Sequence, residues 1–254
     1  MNANGTVNID GEGIALALDG GFWIAHEGGG NLIDGASNPA SFPFLSPNLL
    51  VKVTADGTIV EVVSLPIELT RNQLRFGFEG VASVVEDGAE ILYVAFQRAW
   101  PAAGDPADLA RIGRYDTVRG DWTFAYYPLD AATSPNGGWV GVSEVTALGG
   151  GRFATVERDD QALSDARVKT VQEYAIEGIR FEPLEAATLP IVRKLLRRDL
   201  IAAGDFDAGV VLEKIESLAV LPSGRALVIT DNGGIGNTSG ETRMMDLGVL
   251  FPAR

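Results

Sequence analysis

The fold is decided by EGIALALDGGFWIAHE, residues 12–27, because the chain repeats this phrase three more times. Each copy opens on a glutamate, runs through an apolar strand and a turn, and ends with a second apolar strand and a polar residue. The other copies are EGVASVVEDGAEILYVAFQ (79–97), EVTALGGGRFATVE (144–157) and ESLAVLPSGRALVITD (216–231). By subtraction, the opening glutamates are about 65 to 72 residues apart. A period of this size built from short strands predicts a radial all-β array.

Each unit continues with further strand candidates. Residues 49–65, LLVKVTADGTIVEVVSL, are predicted to form a hairpin, since Asp-Gly between β-branched runs favours that turn. Residues 110–130 and 169–187 are interpreted as the corresponding hairpins of the second and third units, and RMMDLGVLF (243–251) ends the fourth. The repeating unit is therefore a four-stranded antiparallel meander, which is one blade of a β-propeller.

The architecture that we expect is about four blades in an incomplete ring. Larger rings are commoner, and nothing rich in strands precedes Glu12, so residues 1–254 are interpreted as one propeller domain that is truncated at its N-terminus. One segment, LPIVRKLLRRDLIAAGDF (189–206), has apolar residues at near-helical spacing. It predicts either a short amphipathic helix between blades or an irregular strand.

Composition narrows the possible partners. The formal net charge of −14 at pH 7 predicts no nucleic acid partner, because most of this surface would repel phosphates. This charge has two possible interpretations: it serves solubility alone, or the acidic groups hold divalent cations. The chain has no cysteine, which excludes disulfides and thiolate zinc sites. No apolar run is long enough for a membrane span, and the first residues carry no export signal.

The four opening glutamates are the candidate metal ligands. Each begins an innermost strand, and the innermost strands of a propeller line its channel, so Glu12, Glu79, Glu144 and Glu216 are predicted to converge. Converging carboxylates repel unless they are protonated or bridged by a cation, and Ca²⁺ is the cation that best suits oxygen ligands. The alternative is structural: each glutamate caps a backbone or pairs with a nearby base such as Arg75 or Lys214.

A second set of polar residues ends the second strands, and we expect it at the opposite mouth of the channel or on the rim between blades. Its forked guanidinium groups suit a small anionic or polyol ligand, although an interblade hydrogen-bond network is equally consistent. Glu157 and His26, the one histidine, are the candidate general bases; a rim hydrogen bond is the alternative for His26. The predicted substrate-binding residues are Glu27, Gln97, Arg98, Arg158, Asp231 and Asn232.

The order of several phrases resembles the phytase-like family of bacterial β-propellers, often labelled "esterase-like activity of phytase". The similarity spans roughly residues 10 to 250. It is carried by GEGIALALDGGFWIAHEG (11–28), FGFEGVAS (76–83), ILYVAFQRA (91–99), RIGRYD (111–116), FAYYPLD (124–130), RFATVERDD (152–160) and KIESLAVLPSGRALVITDN (214–232). The positions that match the family pattern are Glu12, Glu27, Glu79, Gln97, Glu157, Arg158, Glu216, Asp231 and Asn232. The first unit departs from it, reading HEGGG where an acidic residue and a tyrosine are usual.

The resemblance implies an exported protein, periplasmic or secreted, that hydrolyses ester or phosphoester bonds. The motif of histidine acid phytases is absent, so phosphatase activity would have to be metal-assisted. The expected function is thus a Ca²⁺-dependent propeller hydrolase that acts on a small anionic or ester substrate. The alternatives are a non-catalytic module that binds a ligand or protein, or an inactive fragment. A closed ring predicts a monomer, and an open ring predicts oligomers.

Overall fold

The computed structural model describes residues 6, 9–29, 46–71, 73–233 and 241–253, and these ranges form an all-β propeller of four blades, as predicted. Three four-stranded sheets and one three-stranded sheet follow one another along the chain. Every blade is an antiparallel meander in which consecutive strands are hydrogen-bonded neighbours. None of the described helices has the length and apolar character that a bilayer crossing requires.

The strands have the following bounds. Blade 1 contains β1 (Gly11–Leu16), β2 (Phe22–His26), β3 (Leu49–Val53) and β4 (Ile59–Ser64). Blade 2 contains β5 (Phe78–Glu86), β6 (Ala89–Phe96), β7 (Leu109–Asp116) and β8 (Asp121–Pro128). Blade 3 contains β9 (Val140–Gly149), β10 (Arg152–Asp159), β11 (Lys169–Ala175) and β12 (Arg193–Asp199), and blade 4 contains β13 (Lys214–Val220), β14 (Arg225–Asp231) and β15 (Met244–Val249). A short helix α1 (Ile67–Thr70) joins blades 1 and 2, and 3-10 turns lie at Pro101–Ala103, Leu163–Asp165 and Asp207–Gly209.

The first strand of each blade lies at the propeller axis. β1, β5, β9 and β13 are edge strands of their sheets, and β1 packs against β5, β5 against β9, and β9 against β13. Among the described residues, β13 and β1 do not pack against each other to a comparable extent. On β1, Ile14 and Leu16 are 62% and 72% exposed, whereas Ala15 and Ala17 on the other face pack towards blade 2. The first blade therefore carries an uncovered apolar face.

Two glycines allow the axial strands to approach closely. A Cβ atom on Gly13 would lie 2.6 Å from the Glu79 carbonyl oxygen of β5. A Cβ atom on Gly80 would lie 2.2 Å from the Val145 nitrogen of β9. The Glu-Gly pairs at 12–13 and 79–80 therefore have a packing reason, since only glycine leaves room for the backbone of the next blade.

The core consists of three apolar layers between successive blades. Aromatic side chains dominate the first two layers: Trp23, Phe78 and Trp100 lie between blades 1 and 2, and Tyr93 and Phe153 between blades 2 and 3. Aliphatic side chains fill most of the third layer, between blades 3 and 4. The inner strand β6 is buried on both faces, which explains its nearly continuous apolar sequence.

The third unit corrects one prediction and resolves one alternative. Residues 169–187 were expected to form a hairpin, but β11 pairs instead with Arg193–Asp199, so the hairpin prediction is wrong. The segment 189–206 is therefore not a helix, and its central part is the outer strand of blade 3. Sheet pairing outweighs the helical spacing because β12 completes the hydrogen bonds of β11. The predicted hairpins of the first and second units are confirmed as β3–β4 and β7–β8.

We expect Gly80→Ala to lower the free energy of unfolding by about 1–3 kcal/mol, because the added methyl group must push β5 away from β9. Gly11→Ala is the matched control, since its Cβ atom would meet neighbours at ordinary distances of 3.6 and 3.8 Å. Urea unfolding of both variants measures the effect. Equal stability of the two variants would contradict the close-packing role of Gly80.

Candidate functional site

Every axial strand carries a β-bulge at or beside its repeat glutamate. The register with the second strand shifts between Gly11 and Gly13, between Phe78 and Val81, and between Ile215 and Ser217. These shifts enclose Glu12, Glu79 and Glu216. A bulge turns a side chain out of the regular alternation of the strand, and bulges are common beside active sites. In three blades a bulge therefore redirects the side chain of the repeat glutamate.

The third blade departs from this pattern by one residue. Its register shift lies between Val142 and Glu144, so Ser143 is the extra residue and Glu144 pairs regularly with Val156. The Glu144 carboxylate accepts a hydrogen bond from the Val145 backbone N–H at 2.7 Å. Burial raises the pKa of Glu144 well above its usual value, and no carboxylate contributes to that shift. The Glu144 carboxylate is thus turned towards its own backbone, and a Cβ atom on Gly80 would lie 2.6 Å from its Oε1.

Three carboxylates of the first blade meet at one end of the axis. Ligand atoms of Asp10, Glu12 and Glu27 lie within 4.8 Å of one another, which is a spacing that a metal ion can bridge. The expectation that Glu27 lies at the opposite mouth from Glu12 is therefore wrong. β2 runs antiparallel to β1, so the end of β2 returns to the start of β1, and Gly11 pairs with His26. We call this group, together with Glu79 and Glu216, the acidic cluster.

Glu79 is the deepest member of the acidic cluster. It is 2% exposed, and no hydrogen bond to its carboxylate is found in the described part of the chain. Burial, followed by the charges of Glu12 and Glu216, raises the pKa of Glu79 well above its ordinary value. Burial and then the Asp10 carboxylate raise the pKa of Glu12 to about 7. The carboxylates of blades 1, 2 and 4 therefore repel one another within one poorly solvated space.

Arg158 supplies positive charge beside the acidic cluster. Its Nη2 donates to Glu216 Oε1 at 2.6 Å, and its Nε donates to Ser143 Oγ at 3.0 Å. Arg158 is 3% exposed, while its Nη1 and Glu216 Oε2 are buried and have no hydrogen-bond partner among the described residues. The pair joins blade 3 to blade 4, and each partner keeps one polar atom that a ligand can satisfy.

A second arginine contacts two aromatic rings. The Arg98 guanidinium is 4.6 Å from the centroid of the Phe76 ring and 4.8 Å from that of Trp139. The two rings are themselves 5.9 Å apart. Arg98 is half-buried, and burial lowers its pKa. Trp139 also lies beneath the Arg158 guanidinium at 5.1 Å, so one indole ring links the two arginines.

Phe76 connects the aromatic pair to the acidic cluster. Its backbone N–H donates to Glu27 Oε1 at 2.5 Å, and Gly77 N–H lies 3.4 Å from the same oxygen. Phe76 has a φ of 61°, a conformation that costs energy in any residue other than glycine. The Trp100 indole N–H donates to the Phe76 carbonyl oxygen at 2.9 Å. The strained turn is therefore held from both sides and presents two N–H groups to Glu27.

The structure places the two predicted general bases away from solvent. His26 is 3% exposed; its Nδ1 accepts from the Asp10 N–H at 2.8 Å, and its Nε2 lies 2.9 Å from Ser46 Oγ. Both ring nitrogens are thus engaged, and His26 fixes the backbone of Asp10. Glu157 is fully buried and is not part of the acidic cluster.

Glu157 is held by a buried polar network within its own and the neighbouring blade. The Tyr127 hydroxyl donates to it at 2.7 Å, Lys194 Nζ contacts both carboxylate oxygens at 2.7 and 2.9 Å, and Asp130 N–H donates to Oε1. Burial raises the pKa of Glu157, and Lys194 opposes that shift. These contacts satisfy the carboxylate and give Glu157 a structural role, in line with the interblade network left open above.

The remaining predicted ligand-binding residues lie at the same end of the second strands. Gln97 is 9% exposed, and its carbonyl oxygen accepts from the Val142 N–H at 2.9 Å, which ties blade 2 to blade 3. Asp231 is exposed and lies 3.7 Å from Lys214 Nζ, and its charge contributes to the raised pKa of Glu12. Asn232 is half-buried directly after β14.

Sequence reasoning missed four residues of the site: Asp10, Ser143, Phe76 and Trp139. Asp10 could have been found, since it precedes Glu12 by two residues. Ser143 could not, because its inclusion depends on where the bulge of β9 falls. Phe76 and Trp139 precede the axial strands of blades 2 and 3, where an aromatic residue is equally consistent with the core.

We expect the pKa of Glu12 to make the cation-free protein less stable as pH rises. A carboxyl whose pKa is raised from 4.5 to about 7 stabilises the folded state below pH 4.5, and this contribution is lost as pH rises through about 7. Urea unfolding in chelator across this window measures the slope. Glu12→Gln should flatten the slope, whereas the exposed Glu177→Gln should leave it unchanged. An unaltered slope in Glu12→Gln would contradict the pKa.

Lys194→Met should lower the free energy of unfolding by about 3–5 kcal/mol, because it leaves the fully buried Glu157 carboxylate without its counter-ion. Arg193→Met, at an exposed position on the same strand, is the control and should change stability little. Chemical denaturation measures both. A loss for Lys194→Met no greater than that of the control would show that Glu157 does not depend on this pair.

Comparison with known proteins adds a family to this geometry. One solved structure that resembles the chain is the periplasmic gluconolactonase PpgL of Pseudomonas aeruginosa, at 12% sequence identity and a TM-score of 0.31, with 95% of this chain and 71% of that chain covered. This likeness is too distant to bear on the chemistry of the site. A search of curated proteins found no match. The model of the phytase-like family, described as "esterase-like activity of phytase", matches residues 2–234, and the chain therefore belongs to the phytase-like family.

Proposed function

We propose that the protein is a propeller hydrolase that cleaves an ester or phosphoester bond at the acidic cluster. The reaction would require a bound divalent cation, for which Ca²⁺ is the first candidate. The observation that carries the proposal is the convergence of carboxylates from three blades around Glu79, which is 2% exposed and has no hydrogen-bond partner in the described residues. A buried carboxylate in that state is costly unless it is neutralised. Membership of the phytase-like family supports the reaction class.

The residues present fit a hard cation. Asp10, Glu12 and Glu27 offer oxygen atoms within 4.8 Å of one another, and one buried oxygen of Glu216 has no partner in the part of the chain that the structure describes. Carboxylate oxygens are the ligands that Ca²⁺ prefers, whereas zinc sites usually use cysteine or histidine. Cysteine is absent, and His26 is engaged through both ring nitrogens. In this proposal the cation ligands include three that the sequence predicted, Glu12, Glu79 and Glu216. Asp10 and Glu27 are additional ligands, and Glu144 is not a ligand.

A bound cation would polarise the scissile group and lower the pKa of a water molecule. Other residues of the chain would hold the ligands of the cation in position. Arg158 fixes the orientation of Glu216 through its 2.6 Å contact, and Phe76 and Gly77 fix Glu27 through their backbone N–H groups. His26 holds the backbone of Asp10. Because Glu157 is occupied by Lys194, the carboxylates of the acidic cluster are the groups that accept a proton at the site.

We also propose which residues contact the substrate. Arg98, Gln97, Asp231 and Asn232 lie at the ends of second strands and remain the predicted substrate contacts. A small anionic or ester substrate suits this mixture, since guanidinium groups bind carboxylate and phosphate oxygens. Family membership supports an exported, periplasmic or secreted protein.

Addition of Ca²⁺ after chelator should raise the melting temperature, because a ligand that binds only the folded state stabilises it by about 2.7 kcal/mol at a free concentration of about 100 Kd. Hydrolysis of aryl esters or aryl phosphates should appear only with the cation. Glu79→Gln should abolish both effects, since it removes a charged ligand. Glu185→Gln, an exposed glutamate in the loop between β11 and β12, is the matched control.

The outcomes separate the competing functions. A Ca²⁺ shift without turnover on any ester or phosphoester would favour the non-catalytic binding module. A cooperative melt with no shift for Ca²⁺, Mg²⁺ or Mn²⁺ would refute the metal site and make the acidic cluster structural.

A further inference from the structure

We propose that the outer sheet faces of blade 1 and blade 4 bind each other between two copies of the chain, so that the protein assembles head to tail. Each layer of the core forms where one blade meets the next. Four blades share three such layers, so among the described residues one face of blade 1 and one face of blade 4 have no blade packed against them. The inference goes beyond the proposed function and does not depend on it.

The face of blade 1 that points away from blade 2 carries an apolar row, and we call it the front face. Ile14 of β1 pairs with Ile24 of β2, and directly paired residues share one face of a sheet. Ile24 pairs in turn with Val51, and Val51 with Val62 of β4, so the row crosses the whole sheet. Its two ends are exposed, Ile14 at 62% and Val62 at 54%. Leu16, the next residue of β1 on this face, is 72% exposed.

The corresponding pair of positions is buried in two other blades. The second residue after the repeat glutamate pairs with the third residue before the polar end of the second strand, namely Val81 with Val94 in blade 2 and Leu218 with Val228 in blade 4. These four side chains are at most 5% exposed, because each pair packs against the preceding blade. Ile14 and Ile24 occupy the same positions in blade 1. The front face therefore has the composition of a surface that another blade covers.

Blade 4 exposes the opposite kind of surface, the face that points away from blade 3, and we call it the back face. In blades 1 and 2 the third residue after the repeat glutamate is an alanine that pairs with an aromatic residue and packs towards the following blade, namely Ala15 with Trp23 and Ala82 with Tyr93. Blade 4 has Ala219 paired with Leu227 at these positions. The neighbouring row pairs Ile229 with Met244, and these side chains are 40% and 68% exposed. The back face therefore repeats an interblade surface without a following blade on it among the described residues.

The front and back faces are complementary, because a back face meets a front face in the layers inside the molecule. Between blades 1 and 2, for example, Trp23 of one face packs with Val81 and Val94 of the other. Within one chain the described part of β13 does not pack against β1 as it does against β9, so blade 4 does not cover the front face of its own blade 1. A second copy brings both faces and is therefore the partner that fits.

The interface joins two different surfaces, so repeated association gives a closed ring or a longer row of copies rather than a face-to-face dimer. Arg225 and Asp246 share the back face with Leu227, since Arg225 lies two residues before it and Asp246 pairs with it. They form an ion pair with each other at 2.6 Å. Neither charge is therefore left isolated when the back face is covered.

Sedimentation velocity of the purified chain in chelator tests the proposal over a range of about 1 to 100 µM, where moderate protein affinities are resolved. Low and high salt are compared, because a net charge of −14 opposes self-association when it is poorly screened. Wild-type protein should form species of two or more chains as the concentration rises. Leu16→Asp on the front face and Met244→Asp on the back face should each weaken association by at least about 100-fold, since each places a charge in an apolar contact.

A mixture of the two variants distinguishes head-to-tail assembly from other modes. Met244→Asp keeps an intact front face and Leu16→Asp an intact back face, so together they should form a species of two chains and nothing larger. Val118→Asp, at an exposed valine in the turn between β7 and β8, is the matched control and should associate as wild type. A cooperative melt of each variant shows that lost association is not unfolding. If Leu16→Asp does not melt cooperatively, Val62→Asp on the same face takes its place.

Two results would overturn the proposal. Wild-type protein that remains a monomer at about 100 µM in high salt would show that a second copy is not the occupant, and would assign the two faces to a different chain. Association that is lost in Leu16→Asp but retained in Met244→Asp would show that two front faces bind each other instead. Because the experiment is done in chelator and measures mass alone, either result leaves the hydrolase proposal untouched.

Discussion

Repulsion between carboxylates in a confined space is the constraint on which this end of the molecule depends. The close approach of β1, β5 and β9, made possible by Gly13 and Gly80, leaves little room for water between the blades. The bulges then aim Glu12, Glu79 and Glu216 into that space. A fold that needed only stability would place apolar residues there, since replacing buried charges by well-packed apolar groups is often neutral or stabilising. The charges therefore point to a ligand.

The repeat made the fold predictable, and elementary strand geometry would have predicted more of the site. A phrase that recurs with a period of about 70 residues determines the blade, its inner strands and the convergence of three opening glutamates, Glu12, Glu79 and Glu216. The same phrase contains a hairpin, and the two ends of a hairpin lie together. Glu27, which follows β2, therefore lies beside Glu12, near the start of β1. The hairpin alone predicts this proximity, and the expectation of an opposite mouth did not take it into account.

Other features could not be derived from the sequence. The bulge of β9 falls one residue earlier than in the other blades, and no sequence pattern distinguishes Ser143 from Glu144 as the extra residue. Glu157 resembles Glu27 in its unit, yet Lys194 reaches it from 37 residues away and converts it into a structural anchor. That contact exists only because 193–199 is a strand, which the pairing with β11 decides. Tertiary contacts thus separate residues that occupy equivalent positions in the repeat.

The same separation explains how a repeated scaffold acquires one specific site. Blades 2 and 3 each carry an arginine after the polar residue of the repeat, Arg98 and Arg158, whereas blades 1 and 4 carry Gly28 and Asn232 there. Arg158 forms an ion pair with Glu216 of the next blade, whereas Arg98 lies beside two aromatic rings and Glu144 accepts a hydrogen bond from its own backbone. A shift of one residue in the bulge of β9 thus gives Glu144 surroundings that differ from those of Glu216.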